Sequence, residues 1–153
     1  MKIKNKILIF LLMIILSACG YTSIYTQNKN INFEILSLEI KGDRDINNLI
    51  EKRLSQYIGK KNIRKFQVKI NSTYSKNPIA KNKTGKISKY RLVANLDLEF
   101  RVDDQIQKIS LNETFNMENL NDKFEEKKYE KQVKRNLSSL LLSKIISYLV
   151  NFE

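Results

Sequence analysis

The sequence predicts an α+β fold, a two-layer sandwich with two helices on one face of a four-stranded sheet. Between residues 33 and 117, four segments place apolar side chains at every second position, as half-buried strands do. Two other segments repeat apolar residues every three or four positions, which is typical of amphipathic helices. Their order along the chain is β-α-β-β-β-α.

The four strands are predicted at residues 33 to 41, 65 to 75, 90 to 102 and 106 to 117. Asp103-Asp104-Gln105 is a hairpin signal between the last two. Glu113 interrupts the apolar pattern of the fourth strand, so we expect that strand to lie at an edge or to contain a bulge. The side chains expected to face the core are Leu36, Leu38, Ile40, Phe66, Val68, Ile70, Tyr74, Tyr90, Leu92, Ala94, Leu96, Leu98, Phe100, Val102, Ile109, Leu111, Phe115 and Met117.

The first helix is expected to begin at a capping Asp45, to continue to Ile58 and to end at Gly59. Its apolar positions are Ile46, Leu49, Ile50, Leu54, Tyr57 and Ile58. The last helix is expected from Asp122 to Val150. The stripe that should pack on the sheet consists of Tyr129, Val133, Leu137, Leu141, Ile145 and Leu149.

The second half of the last helix is apolar around most of its circumference. Leu142, Ile146 and Val150 fall off the main stripe, and between residues 140 and 150 only Lys144 is charged. Such a helix must be covered on more than one side. Either the first helix covers these residues, or they form an interface with a partner protein.

The first residues have the features of an export signal. Lys2, Lys4 and Lys6 precede an apolar run of ten residues, which as a helix of about 15 Å is too short for a bilayer core of about 30 Å. Leu16-Ser17-Ala18-Cys19 then resembles the bacterial lipobox. We therefore predict a signal peptide at 1 to 18, a lipidated tether at 19 to 32 that begins with Cys19, and a domain at 33 to 153. By resemblance to known lipoprotein sorting rules, an Asp after the cysteine would retain the protein in the inner membrane, so Gly20 at this position favours the outer membrane.

The composition argues against catalysis and against nucleic acid. There is no histidine, Cys19 is the only cysteine, and the carboxylates are not spaced as a metal site, so we expect neither an enzyme nor a cofactor. The formal net charge of +12 would suggest nucleic acid, but an exported protein does not meet the chromosome. The anionic partners that remain are lipid phosphates and lipopolysaccharide.

Several short motifs, taken in order, resemble the family of the lipopolysaccharide-assembly lipoprotein LptE. Cys19-Gly20-Tyr21, followed by Ile24-Tyr25, is similar to the Cys-Gly-Phe-x-Pro-Leu-Tyr opening of the α-proteobacterial branch, although Ser23 replaces the proline. Tyr90-Arg91-Leu92 at the head of an alternating strand, then a hairpin, a strand ending near Phe115 and a long helix, also match the layout of that family.

The resemblance implies a non-enzymatic lipoprotein that plugs the outer-membrane β-barrel LptD and assists lipopolysaccharide assembly. It also implies that basic residues of the loop before the third strand, here residues 75 to 89, bind lipopolysaccharide. Lys83 in Lys83-Thr84-Gly85 matches the family's basic-x-Gly turn, and a second basic position falls at or beside Lys123. The candidate lipopolysaccharide-binding residues are Lys81, Lys83, Lys86, Lys89 and Lys123.

Two other classes fit a small, basic, anchored protein. One is an adaptor or substrate-binding lipoprotein of a lipid-trafficking ABC system, and the other is an accessory lipoprotein of the barrel-assembly machinery. For the loop itself, the alternative to binding is that its lysines only keep a solvated turn soluble.

The lipobox generates the first testable prediction. Cys19→Ser removes the thiol that accepts the lipid, so the variant should accumulate as an unprocessed precursor that does not incorporate labelled palmitate. Gel mobility and palmitate labelling in cells measure both effects. Cleavage before residue 19 together with labelling of the variant would contradict the prediction.

Overall fold

The structure, a computed structural model, describes residues 33–152. The predicted signal peptide, Cys19 and the tether lie outside the described residues. The elements are β1 (Phe33–Gly42), α1 (Arg44–Leu54), a short 3-10 turn (Ser55–Tyr57), β2 (Arg64–Lys81), β3 (Ile87–Val102), β4 (Gln105–Glu118) and α2 (Lys123–Asn151). The predicted α+β class and the order β-α-β-β-β-α are confirmed.

The four strands form one mixed sheet in the order β1-β2-β3-β4. β1 is parallel to β2, and the other two pairings are antiparallel. β4 pairs only with β3 and has no register shift, so the predicted edge position is confirmed and the alternative of a bulge is not. Alternate residues of the central strands are buried on the face that the helices cover: Phe66, Val68, Ile70, Leu92, Ala94, Leu96, Leu98 and Phe100.

Helix α2 packs on β3, β4 and α1 through a buried stripe, as its periodicity predicts. The stripe comprises Val133, Leu137, Leu141, Ile145 and Leu149. Tyr129 is 40% exposed, so its predicted core position is wrong. The C-terminal end of α2 is held by Arg64, whose guanidinium donates to the carbonyl oxygen of Val150 at 3.1 Å and to that of Phe152. A cation at this end also complements the helix dipole.

Two predicted details of the first strand and helix are wrong. The register of β1 against β2 shifts between Ile35 and Ser37, so Leu36 forms a bulge and is 51% exposed rather than inward. Helix α1 is capped by Asp43, not Asp45, because the Asp43 carboxylate accepts from the amide of Ile46 at 3.0 Å.

The same helix also ends earlier than its apolar periodicity suggests. The α-helical part of α1 stops at Leu54 and passes into the 3-10 turn. Ile58, predicted to be helical, is extended and forms an isolated bridge with Ile35. Gly59 follows with φ +73°, a conformation in which a glycine is favoured.

The largest difference from the sequence prediction lies between residues 75 and 89. The predicted loop is instead a β-hairpin, because the β2–β3 pairing continues from Ser75↔Val93 to Lys81↔Ile87. The pairing of β1 with β2 ends at Gly42↔Ser72, so beyond Ser72 one side of β2 is an open edge. Pro78 lies in this edge segment, where its missing amide hydrogen costs no ladder hydrogen bond on the open side. We call residues 75–93 the hairpin arm.

The base of the hairpin arm is fixed to α2 by a polar network. Lys76 Nζ lies 2.7 Å from Glu126 Oε1 and 2.9 Å from Glu130 Oε2, and it stands 4.4 Å from the centre of the Tyr90 ring. The second oxygen of Glu126 accepts from Lys123 at 2.8 Å. Glu126 is only 6% exposed, so its charge depends on these two ammonium groups.

The pKa values follow from this geometry. Hydrogen bonds from Lys123 and Lys76 lower the pKa of Glu126. Desolvation would lower the pKa of Lys76, but its hydrogen bonds to Glu126 and Glu130 outweigh that effect and raise it. Burial, together with a hydrogen bond of 2.7 Å from its hydroxyl to Glu130, raises the pKa of Tyr74. The lysine and Glu126 are therefore both charged, and their ion pair adds to the packing of Leu92, which is fully buried at the base of the arm.

The network generates a stability prediction. Lys76→Met should lower the free energy of unfolding at pH 7 by about 1–3 kcal/mol, because it leaves buried carboxylate oxygens without a donor. Glu126 with its lowered pKa stabilises the fold above its unfolded pKa of about 4.3, and this contribution is lost as the pH falls through the folded value. Wild type should therefore lose more stability in acid than the variant. Urea unfolding across this pH range measures both effects.

Lys69→Met is the matched control on the same strand. Lys69 is exposed and its ion pair with Glu99 is 3.9 Å long, so its removal should change stability by no more than about 0.5 kcal/mol. Equal losses from the two variants, or parallel acid unfolding of wild type and Lys76→Met, would show that the network does not hold the arm.

Candidate functional site

The tip of the hairpin arm is an ordered turn built around Asn82. Its side-chain oxygen accepts from the backbone amide of Thr84 at 3.0 Å, from the Thr84 hydroxyl at 2.8 Å and from the amide of Lys86 at 3.0 Å. The amide of Asn82 donates to the carbonyl of Lys86 at 2.8 Å, and Gly85 adopts φ +79°. Asn and Gly are therefore required here by the turn itself.

Three of the five predicted lysines surround this turn with their ammonium groups free. Lys81, Lys83 and Lys86 are exposed, and none forms an ion pair or side-chain hydrogen bond with another residue of 33–152. We call these three the tip lysines. Lysine ammonium groups bind phosphates as point charges, and three of them on one short turn suit a ligand with more than one phosphate.

The other two predicted lysines have protein partners. Lys89 lies 2.9 Å from Glu118 across the β3–β4 pairing, with both side chains about half exposed. Lys123 belongs to the polar network and also donates to the Asn119 side chain at 2.8 Å. Lys76, which the predicted loop also contained, is neutralised by two glutamates. An anion would have to compete with a carboxylate at each of these positions.

The predicted partner residues of the last helix are distributed unevenly. Leu142 is 8% exposed and so is largely buried within the domain, whereas Ile146 and Val150 are half-buried. More exposed apolar side chains lie elsewhere in the α2–β4 region. These are Ile106, Phe115, Phe124, Tyr129, Leu140 and Tyr148.

Part of this apolar surface is organised. The rings of Phe115 on β4 and Tyr129 on α2 meet edge to face with centroids 6.2 Å apart, and both remain partly exposed. The sequence pattern predicts both residues to lie in the core. Their position beside an edge strand, signalled by Glu113, is the one feature of the sequence that could have indicated their exposure.

Metal-binding clusters and membrane-spanning helices were sought in the part of the chain that the structure describes. Within residues 33–152, no three His, Cys, Asp or Glu side chains come together in a way that could hold a metal ion. Nor is any helix of this region both long and apolar enough to cross a bilayer.

Comparison with known proteins identifies the fold. No protein-family model matches the chain, and no curated protein matches it in sequence. The structure is similar to that of the rare lipoprotein B from Shewanella oneidensis, with a TM-score of 0.56, 12% identity, and coverage of 75% of this chain and 97% of that one. It is also similar to lipoprotein B from Nitrosomonas europaea, with a TM-score of 0.51, 14% identity, and coverage of 80% and 87%. The domain therefore shares its fold with bacterial lipoproteins.

Proposed function

We propose that the protein is an outer-membrane lipoprotein that plugs an LptD-like β-barrel, assists lipopolysaccharide assembly, and binds lipopolysaccharide through the hairpin tip. The observation that carries the proposal is the set of three uncompensated ammonium groups on one ordered turn. The fold, which is shared with bacterial lipoproteins, and the lipobox that ends at Cys19 support the anchoring.

The construction of the arm suits binding of an anionic ligand. The turn is closed by its own hydrogen bonds and the base is held by Lys76, so little backbone freedom is lost when a ligand binds. The tip lysines carry no acidic partner that a phosphate would have to displace. Ile79, exposed on the same arm, offers an apolar contact beside the charges.

The role is non-enzymatic in this proposal. The chain has no histidine, and three groups with shifted pKa values, Tyr74, Lys76 and Glu126, belong to the network that holds the arm. Perturbed groups that satisfy each other in an ion-pair network have a structural explanation and need no catalytic one. The tip lysines act by charge alone.

Contact with a barrel is the second part of the proposal. The α2–β4 region exposes aromatic and aliphatic side chains beside an edge strand, and aromatic residues are enriched where proteins meet partners. Ile146 and Val150 are half-buried on another side of α2, about 200° around the helix from Tyr148. A barrel lumen that closes around the domain would cover such side chains.

Crosslinking tests the barrel partner. A photo-crosslinking residue at Leu140 or Tyr148 should capture one dominant outer-membrane β-barrel from intact envelopes, recognised by its heat-modifiable mobility and identified by mass spectrometry. The same probe at Lys61, on the exposed loop before β2, serves as the control and should capture little. Capture of an inner-membrane permease, or of the barrel-assembly machinery, would favour one of the two alternative classes instead.

Charge reversal tests lipopolysaccharide binding. Lys83→Glu with Lys86→Glu should weaken binding of lipopolysaccharide to the purified protein by more than the loss of two attractions, because two repulsions are added. Stability should change by no more than about 0.5 kcal/mol, since both side chains are exposed on the turn. Raising the salt concentration should weaken binding to wild type. Titration with fluorescent lipopolysaccharide measures the affinity.

The matched control reverses the same number of charges at Lys60 and Lys61, which are also exposed and lie in a loop. This variant has the same net charge as the tip variant. Equal loss of affinity in the two variants would mean that net charge alone drives the association, and the tip would then be a solvated turn.

A further inference from the structure

The cations of α2 fall into two groups. Four lysines have carboxylate partners: Lys123 with Glu126, Lys128 with Glu125, Lys134 with Asp43 and Asp45, and Lys144 with Glu113. The other three cations, Lys127, Lys131 and Arg135, form no ion pair or side-chain hydrogen bond with another residue of 33–152. They recur every four residues and so lie along one side of the helix. We call them the basic row.

This arrangement is unfavourable for the isolated domain. At 1.5 Å per residue the basic row spans about 12 Å, and like charges four residues apart on a helix repel each other. The acidic residues closest to the basic row already form ion pairs with other lysines. Glu126 and Glu130 bind Lys76, and the carboxylate of Asp45, which lines the groove beside the row, lies 3.2 Å from Lys134.

We propose that the basic row is a docking site for the anionic headgroups of the membrane surface. Phosphate oxygens would accept hydrogen bonds from the Arg135 fork and meet Lys127 and Lys131 as point charges. The site is distinct from the tip lysines. It needs the membrane anchor of the proposed function but not its lipopolysaccharide step.

The surroundings of the row favour a lipid surface over an acidic protein. The adjoining groove of about 230 Å³ between α1 and α2 is lined by Asp45, Asn48 and Leu49 together with Lys131 and Arg135, so Leu49 is its one apolar side chain. A protein interface has an apolar centre from which charges are depleted. Headgroups need no such centre, because clustered basic residues alone hold a segment to an anionic membrane.

The polar network places the basic row next to the base of the arm. Glu126 and Glu130, which hold Lys76, alternate along α2 with Lys127 and Lys131. The row therefore lies on the helix to which the base of the arm is bound, so that α2 carries the headgroup contacts and the arm carries the tip lysines. An anchored domain bound through the row would keep a fixed orientation at the membrane.

Site-resolved lysine acetylation tests the proposal on the full-length acylated protein in neutral-detergent micelles. Added phosphatidylglycerol should protect Lys127 and Lys131 from acetylation, as measured by peptide mass spectrometry, and phosphatidylcholine should not. Because one basic residue near an anionic surface contributes about fivefold in affinity, Lys127→Gln should raise the phosphatidylglycerol concentration that half-protects Lys131 about fivefold. Lys60→Gln, the control, should leave that concentration unchanged.

The outcomes separate the two proposals residue by residue. Equal protection by both phospholipids, or by neither, overturns the headgroup site, and protection by neither leaves an acidic protein as the occupant to seek. A third arm adds lipopolysaccharide. Protection of Lys83 and Lys86 by lipopolysaccharide without protection of the row by phosphatidylglycerol would support the proposed function and overturn this inference. The reverse pattern would support the inference and remove the lipopolysaccharide step.

Discussion

The antiparallel pairing of β2 with β3 is the interaction on which the other features of the domain depend. It runs from Phe66↔Val102 to Lys81↔Ile87, well beyond the last residue that β1 covers. Its first half carries the core, because alternate side chains of both strands lie under the helices. Its second half carries the tip lysines away from that core. One continuous ladder thus joins the stable part of the domain to its candidate binding element.

A hairpin that leaves its core has little apolar area with which to offset the entropy of ordering. In this domain, polar contacts at two places compensate for the small apolar area of the hairpin. At the base, Lys76 bridges to Glu126 and Glu130 of α2, and at the tip Asn82 closes the turn. Both devices are polar, and they order the arm without covering its exposed lysines.

The sequence predicted the parts of the fold in which one face is buried and the other is exposed to solvent. The alternation of β3 and the stripe of α2 were recognisable because burial imposes a period on the side chains. Leu36 was misassigned because the bulge at this residue shifts the alternation by one position, so that Ile35 is buried instead, and no local residue signals it. The hairpin arm was read as a loop since Lys, Asn and Pro have low strand propensity, whereas its ladder depends on a partner strand.

For the candidate site, the sequence alone could not distinguish the lysines that form ion pairs from those that do not. Composition identified the lysines near residues 75 to 89, but only the structure separates Lys81, Lys83 and Lys86 from Lys76 and Lys89, whose carboxylate partners lie 50 and 29 residues further along the chain. A paired lysine mainly stabilises the fold, while an unpaired one keeps its field available to a ligand. The net charge of +12 therefore indicates less about binding than the places where basic side chains have no carboxylate partner. On this domain, those places include the turn of the arm and one side of α2.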